Sequence, residues 1–221
     1  MNVLPSLQAM QAAYYAGSSP IRTPPPDLPS LLLNERIVYL GLPLVQQADI
    51  AINVPKLIIA QLLYLQYDDR SKPIYMYISS TGTYGYDTAA FAIADTMNYI
   101  APPVHTICIG KAYGMAAMLL ASGTKGLRAS LPNASIMMHQ PFGGTRGQAT
   151  DIQIKTEELV TIKHMMLNKL ATTTGQSVER IAKDIDRFFY MTPAEAKDYG
   201  LIDTVLSSAK DLPAPVAGIA G

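Results

Sequence analysis

Residues 104–121 read VHTICIGKAYGMAAMLLA. The first six, 104–109, are nearly all apolar and rich in β-branched side chains. Such a run has the length of one strand, and only a strand covered on both faces can afford it, so it predicts a buried parallel strand. Gly110 is expected to close that strand. From Gly114 the pattern changes to Ala, Met and Leu, which favour helix, and a helix is predicted to 121. A buried strand running through a glycine turn into an apolar helix is the core unit of an α/β domain.

The same alternation continues on both sides. Strands are predicted at 36–40 (RIVYL), 74–79, 127–130, 135–138 and 201–206, and helices at 50–65, 88–100, 150–173 and 177–184. Pro55 falls inside the first helical window and is tolerated only near its start or at a kink. Thr192-Pro193-Ala194-Glu195 has Thr at the cap, Pro at the first position and Glu at the third, so it opens a helix; Gly200 is placed to end it. Ser177 begins a partial capping box that lacks the third-position Glu. Residues 1–30 carry Ala, Ser and the run Pro24-Pro25-Pro26, and are expected to form an extended or flexible arm. The folded domain is expected over 31–207, with 208–221, rich in Ala, Pro and Gly, as a loose tail.

Composition narrows the function. Apolar residues make up 49% of the 221 and charged residues 15%, so the chain can bury a large core and some of its surface is expected to lie against other subunits. Seventeen basic and seventeen acidic residues cancel without a basic cluster, which argues against nucleic acid binding. The lone Cys108 sits inside the strand run and reads as a small buried hydrophobe; one cysteine makes no disulfide framework and suits a reducing compartment. No apolar stretch approaches the ~20 residues of a membrane span. The first 26 residues lack the charged start and apolar core of a secretory signal, so a cytoplasmic location is expected.

A sharp strand-to-helix turn is where α/β serine hydrolases present their nucleophile. Here the turn carries Gly114 and no serine. Ser122 lies at the far end of the helix and reads as a helix-terminal residue. His139 ends the strand 135–138 beside the loop Pro141-Phe142-Gly143-Gly144, and is a candidate general base as well as a structural histidine. His105, in the strand run, and His164, on the long helix, do not share metal-ligand spacing with it. No phosphate-binding or dinucleotide fingerprint is present. No metal or cofactor is expected.

Five motifs in order, LLLNERIVYLG (31–41), IYMYISS (74–80), GKAYGMAAMLLASGTKG (110–126), LPNASIMMHQPFGGTRGQATD (131–151) and MTPAEAKDYGLID (191–203), resemble the proteolytic subunit of the Clp protease. The resemblance implies the ClpP/crotonase-like α/β fold of repeated strand-strand-helix units with a protruding handle helix. Carried over by position, it puts the family's catalytic serine at Gly114, its histidine at His139 and, without gaps, its aspartate at Phe188, with Asp186 two positions away. The family's oxyanion loop corresponds to Ser80-Thr81-Gly82-Thr83, where Thr83 replaces a second glycine or Gly85 takes its place after about two extra residues. These departures resemble the non-catalytic ClpR subunits of cyanobacteria and plastids.

By the same correspondence, residues 150–173 form the handle that joins two heptameric rings. Gly143, Gly144 and Thr145 fall where substrate binds in extended form. Leu63, Tyr75, Tyr77, Ile107 and Ile109 fall near the clefts that receive loops of the AAA+ ATPase chaperone. The implied function is a pseudoenzyme subunit of a mixed barrel with serine-bearing ClpP-type partners, in the cytoplasm or plastid stroma. Two other readings stay open: a peptidase using Ser122 or Ser80, and a CoA-ester hydratase or isomerase on the crotonase-like fold. The last needs an acidic base near the cleft, which the sequence does not make evident.

Overall fold

A computed structural model describes residues 28–44, 53–83, 87–208 and 211 of the chain. Contacts divide the chain into two units, Met1–Glu35 and Arg36–Gly221. The first contributes helix α1 (Leu28–Asn34), an element with no signal in the sequence reading, whose last turn is closed by the Glu35 N–H on the Leu31 and Leu32 carbonyls. α1 crosses the 30/31 position; residues 1–27, with the triple proline, lie outside the described residues.

The second unit is built on one sheet. In chain order its elements are β1 (Ile37–Leu40), α2 (Val54–Asp68), β2 (Ile74–Ser80), α3 (Asp87–Tyr99), β3 (Val104–Tyr113), α4 (Met115–Ala121), β4 (Arg128–Ser130), β5 (Ser135–Met138), α5 (Ala149–Thr174), α6 (Val178–Asp184), β6 (Phe189–Met191), α7 (Pro193–Tyr199) and β7 (Thr204–Val205). Strands β1-β2-β3-β4-β7 lie side by side, all parallel. β5 pairs parallel with β3 and antiparallel with β6.

The length of β3 organises the sheet. Its first part, Thr106 to Cys108, pairs with β4, and its second, Lys111 to Tyr113, pairs with β5. Gly110 therefore does not end the strand. A Cβ there would come within 2.9 Å of Ser79 Oγ on β2, so glycine permits close approach of neighbouring strands. The strand predicted at 201–206 shrinks to Thr204–Val205, because the Leu201 and Ile202 N–H groups bond back to the Ala196 carbonyl of α7 instead of to β4. β6 was also unread.

α4 is buried on every side, as an all-apolar helix must be. β2 shows the alternation of a strand between unequal environments: Ile74, Met76, Ile78 and Ser80 are buried, while Tyr75 and Tyr77 on the other face are half-buried. Pro55 sits in the first turn of α2, where its missing N–H costs nothing, and Asn53 caps that turn through the Lys56 N–H. Arg36 has φ 60°, rare for a side-chain-bearing residue. Its guanidinium holds that geometry by donating to Asp68 and to the Leu65, Pro73, Asp69 and Lys72 carbonyls around the end of α2.

α5 has 26 residues, about 39 Å of helix at 1.5 Å per residue. Its buried positions, Ile162, Met166, Leu167 and Leu170, all lie in the second half. The first half stands out from the domain and carries Ile152, Ile154 and Val160 exposed. α7 opens with the expected reciprocal capping box between Thr192 and Glu195 and closes at Gly200 in the left-handed region. At Ser177 the half-box works with one bond, from the Arg180 N–H to Ser177 Oγ.

Candidate functional site

The β3–β5 pairing assembles the site. Tyr113 lies opposite Met137, and the Gly114 N–H donates to the Met137 carbonyl at 2.8 Å. His139, just past β5, is thereby held beside Gly114. Gly114 adopts φ 55° and ψ −117°. Only glycine takes that conformation without strain, and it is a turn of this kind that lifts a nucleophile out of a sheet. The Gly114 carbonyl accepts the Ala117 and Met118 N–H groups and starts α4.

His139 is oriented by its own neighbour. Nδ1 lies 2.8 Å from the Gln140 carbonyl oxygen, which can only accept, so Nδ1 is the donor of this contact. Nε2 points at Gly114: a Cβ on that residue would overlap it, with His139 Cε1 at 3.0 Å. The imidazole thus fills the space a side chain at position 114 would need. Phe142 and Phe188 flank the ring at centroid distances of 5.2 and 5.7 Å, the second edge-on at 85°. Phe188 stands directly beside the histidine. Asp186 shares the wall of the adjoining cleft, of about 240 Å³, but makes no hydrogen bond to His139 among the described residues. Gln140 ties this corner to α6 and α5, donating its N–H to the Ile185 carbonyl and accepting the Lys163 ammonium on Oε1.

The loop after β2 leans on the same turn. Gly82, at φ 79°, is packed so closely that a Cβ would strike the Tyr113 carbonyl and lie 3.2 Å from the Met115 nitrogen. Its N–H donates to Ser80 Oγ at 3.2 Å and its carbonyl accepts the Leu44 N–H at 2.8 Å. That N–H is engaged inside the protein rather than offered to an oxyanion. Gly85 lies outside the described residues.

Sequence reasoning missed Asp87, the first residue of α3. It is 4% exposed, accepts the Thr83 hydroxyl on Oδ1, and leaves Oδ2 without a hydrogen-bond partner among the described residues. Burial pushes its pKa up, against the opposing effects of the Thr83 bond and the nearby His139. The available signal was an acid opening a helix directly after a glycine loop.

The two alternative serines are committed elsewhere. Ser122 caps the end of α4, is buried, and donates to the Met118 carbonyl. Ser80 is buried and donates to the Leu42 carbonyl while accepting from Gly82. Of the other histidines, His105 is buried against Tyr75 with ring centroids 4.6 Å apart, and desolvation pushes its pKa down; His164 is exposed on α5. Among the described residues no group of three His, Cys, Asp or Glu side chains could hold a metal. Nor is any helix among them long and apolar enough to cross a membrane.

Gly143, Gly144 and Thr145 lie in an exposed stretch between β5 and α5 with no regular structure. Tyr77, Ile107 and Ile109 come together in a second cleft of about 360 Å³ with Leu131, Pro132 and Leu206. Tyr75 packs on the core beneath it, formed by Ile107, Ala129 and Leu206. Leu63, 42% exposed on α2, is not among the cleft's lining residues. Leu131, Pro132 and Leu206 were not foreseen, since they follow strands whose register only the folded sheet defines.

A parallel sheet thus brings a glycine strand-to-helix turn against a histidine at the end of the neighbouring strand. Comparison with known proteins names the family. The Clp protease family model matches residues 26–209, and the chain belongs to that family. It is 58% identical to an ATP-dependent Clp protease proteolytic subunit-like protein of Synechocystis, over 96% of this chain and 99% of that one. It is 56% identical to the Clp protease proteolytic subunit 2 of Gloeobacter violaceus, over 90% and 88%. A chloroplastic relative from Arabidopsis thaliana, proteolytic subunit-related protein 4, is 49% identical over 83% of this chain and 60% of its own length.

Proposed function

We propose that this chain is a non-catalytic subunit of the Clp protease barrel, assembling with serine-bearing ClpP-type subunits into heptameric rings that stack as a double ring. The observation that carries this reading is the pair Gly114–His139. The turn that would present a nucleophile has no side-chain oxygen, and the imidazole that would activate one occupies the vacated space. No acyl-enzyme can form on a glycine. Phe188 cannot accept the Nδ1 proton, which rests on the Gln140 carbonyl instead.

The oxyanion side supports the same reading. The Gly82 N–H is taken by Ser80 and is not free to meet developing negative charge. A peptidase using Ser80 or Ser122 is disfavoured because both hydroxyls are buried and bonded to main-chain carbonyls. Asp87 supplies the acid a hydratase would need, but its burial closes it to substrate.

In the barrel, the exposed half of α5 is the handle that meets the opposite ring, and residues 143–145 line the chamber. The Tyr77–Ile107–Ile109 cleft receives the AAA+ ATPase. The compartment is the cytoplasm, or the stroma in a plastid, in keeping with cyanobacterial and chloroplastic relatives. The test is reconstitution: co-expressed with an active ClpP-type subunit, this chain should co-purify in one double ring, and fluorophosphonate should label only the partner. Separate migration of the two chains, or labelling of this one, contradicts the reading.

A further inference from the structure

Helix α5 leaves the domain at Lys163. Ile162 is the first of its buried residues, and the helix before it is exposed or half-buried. Three contacts lay the segment 140–147 back along that projecting part. Lys163 Nζ donates to Gln140 Oε1 at 2.8 Å. A Cβ on Gly143 would lie 3.5 Å from the two Leu159 methyls, and one on Gly147 3.4 Å from Asp151 Oδ2. Loop numbers rise as helix numbers fall, so the two run antiparallel. The Lys163 bond pins the end nearest the domain, and it is charge-assisted, the stronger kind of hydrogen bond.

Gln140 is held on three sides. Its side chain takes the Lys163 ammonium, its N–H donates to the Ile185 carbonyl at 2.9 Å, and its carbonyl accepts His139 Nδ1 at 2.8 Å. A residue fixed at its side chain and its N–H presents its carbonyl in one direction, and that direction orients the imidazole. The other restraints on the ring are packing contacts: Gly114 on the Nε2 side, and Phe142 and Phe188 flanking it. Strand register brings His139 beside Gly114. The bond to Gln140 decides whether the ring stays turned toward it.

We infer that Lys163 is a positioning residue for His139: by holding the Gln140 side chain, it fixes the carbonyl that anchors Nδ1 and so keeps the imidazole seated against Gly114. The base of α5 thereby sets the seat of a ring on a different element. How His139 is held does not depend on assembly with active subunits, so histidine labelling and barrel reconstitution fail separately.

The test is carbethoxylation of the full chain by diethyl pyrocarbonate, read by mass spectrometry at each histidine. His164 is exposed and His105 buried, so they bracket His139. In the wild type His139 should react more slowly than His164. Lys163→Met should raise the His139 rate about tenfold, the change that loss of one charge-assisted hydrogen bond implies, while His105 stays protected. Lys163→Arg keeps a donor and should restore most of the protection. Gln140→Leu should act like Lys163→Met, and the double variant should be no faster than either. Lys169→Met, which removes the 3.8 Å pair with Asp95 on the same helix, should leave His139 unchanged. An unchanged His139 rate in Lys163→Met overturns the inference. So does a rise shared by His105 or reproduced by Lys169→Met, since either means a general loosening of the fold.

Discussion

His139 Nε2 faces the Cα of Gly114 so closely that no side chain fits between them. The two positions are held by neighbouring hydrogen-bonded strands, so neither can withdraw without disturbing the β3–β5 pairing. The missing side chain at position 114 and the inward position of the histidine are thus one arrangement. Restoring the nucleophile by substitution is correspondingly difficult.

Gly114→Ser alone should not restore cleavage and should lower stability by about 1–3 kcal/mol, the cost of a side chain at φ 55° together with displacement of the imidazole. Chemical denaturation measures the loss, and fluorophosphonate labelling should stay at background. Adding Phe188→Asp gives the imidazole a partner that competes with the Gln140 carbonyl. Some labelling is expected only in that double variant.

Asp87 predicts a pH dependence of definite sign. Its folded pKa lies above the unfolded value because burial opposes the charged form. The group's stabilising contribution is complete below the unfolded carboxylate pKa and is lost as pH rises through the folded one. Asp87→Asn removes that dependence and should stabilise the protein above this window by about 1 kcal/mol, since it replaces a buried carboxylate oxygen that has no hydrogen-bond partner among the described residues. Melting curves at several pH values compare the two proteins; a variant with the wild-type slope would show that Asp87 is not the group responsible.

Arg128 and Asp203 make the opposite case. Burial acts to raise the Asp203 pKa, but hydrogen bonds and charge from Arg128 outweigh it and the net shift is downward. Arg128 also donates to the Ala121 and Thr173 carbonyls, joining the ends of α4 and α5 to β4. Asp203→Ala leaves a buried guanidinium unpaired and should cost about 3–5 kcal/mol. The pair's contribution is present above the unfolded carboxylate pKa and fades as pH falls through the folded one, so urea midpoints of wild type and variant should converge in acid.

Leu131→Asp places a charge in the apolar cleft without touching Gly114 or His139. In a reconstituted mixed barrel it should weaken ATPase-driven degradation of a folded substrate while leaving ATPase-independent cleavage of a short peptide by the partner subunits unchanged. Equal loss of both activities would instead indicate a failure of assembly.

Much of this was legible before folding. The apolar run at 104–109 marked the buried strand, and Gly114 after it marked the turn into the helix. Thr192, Pro193, Glu195 and Gly200 marked both ends of a helix by their local chemistry alone. What escaped depended on contacts between distant residues. Gly110 reads as a strand terminator until Ser79 is seen to need its missing side chain. The Phe189–Met191 strand exists because β5 offers it an edge. Asp87 looks like an ordinary helix-opening acid until its second oxygen proves to be buried and, among the described residues, without a hydrogen-bond partner. The inward lie of His139 follows from strand register, which no single segment contains.

The most direct measurement is turnover of a fluorogenic peptide by the purified chain alone, beside an active ClpP-type subunit and a mock preparation from cells lacking Clp peptidase. The account predicts a rate no higher than the mock and no fluorophosphonate adduct. Turnover above the mock, with an adduct mapping to any serine of this chain, would contradict it.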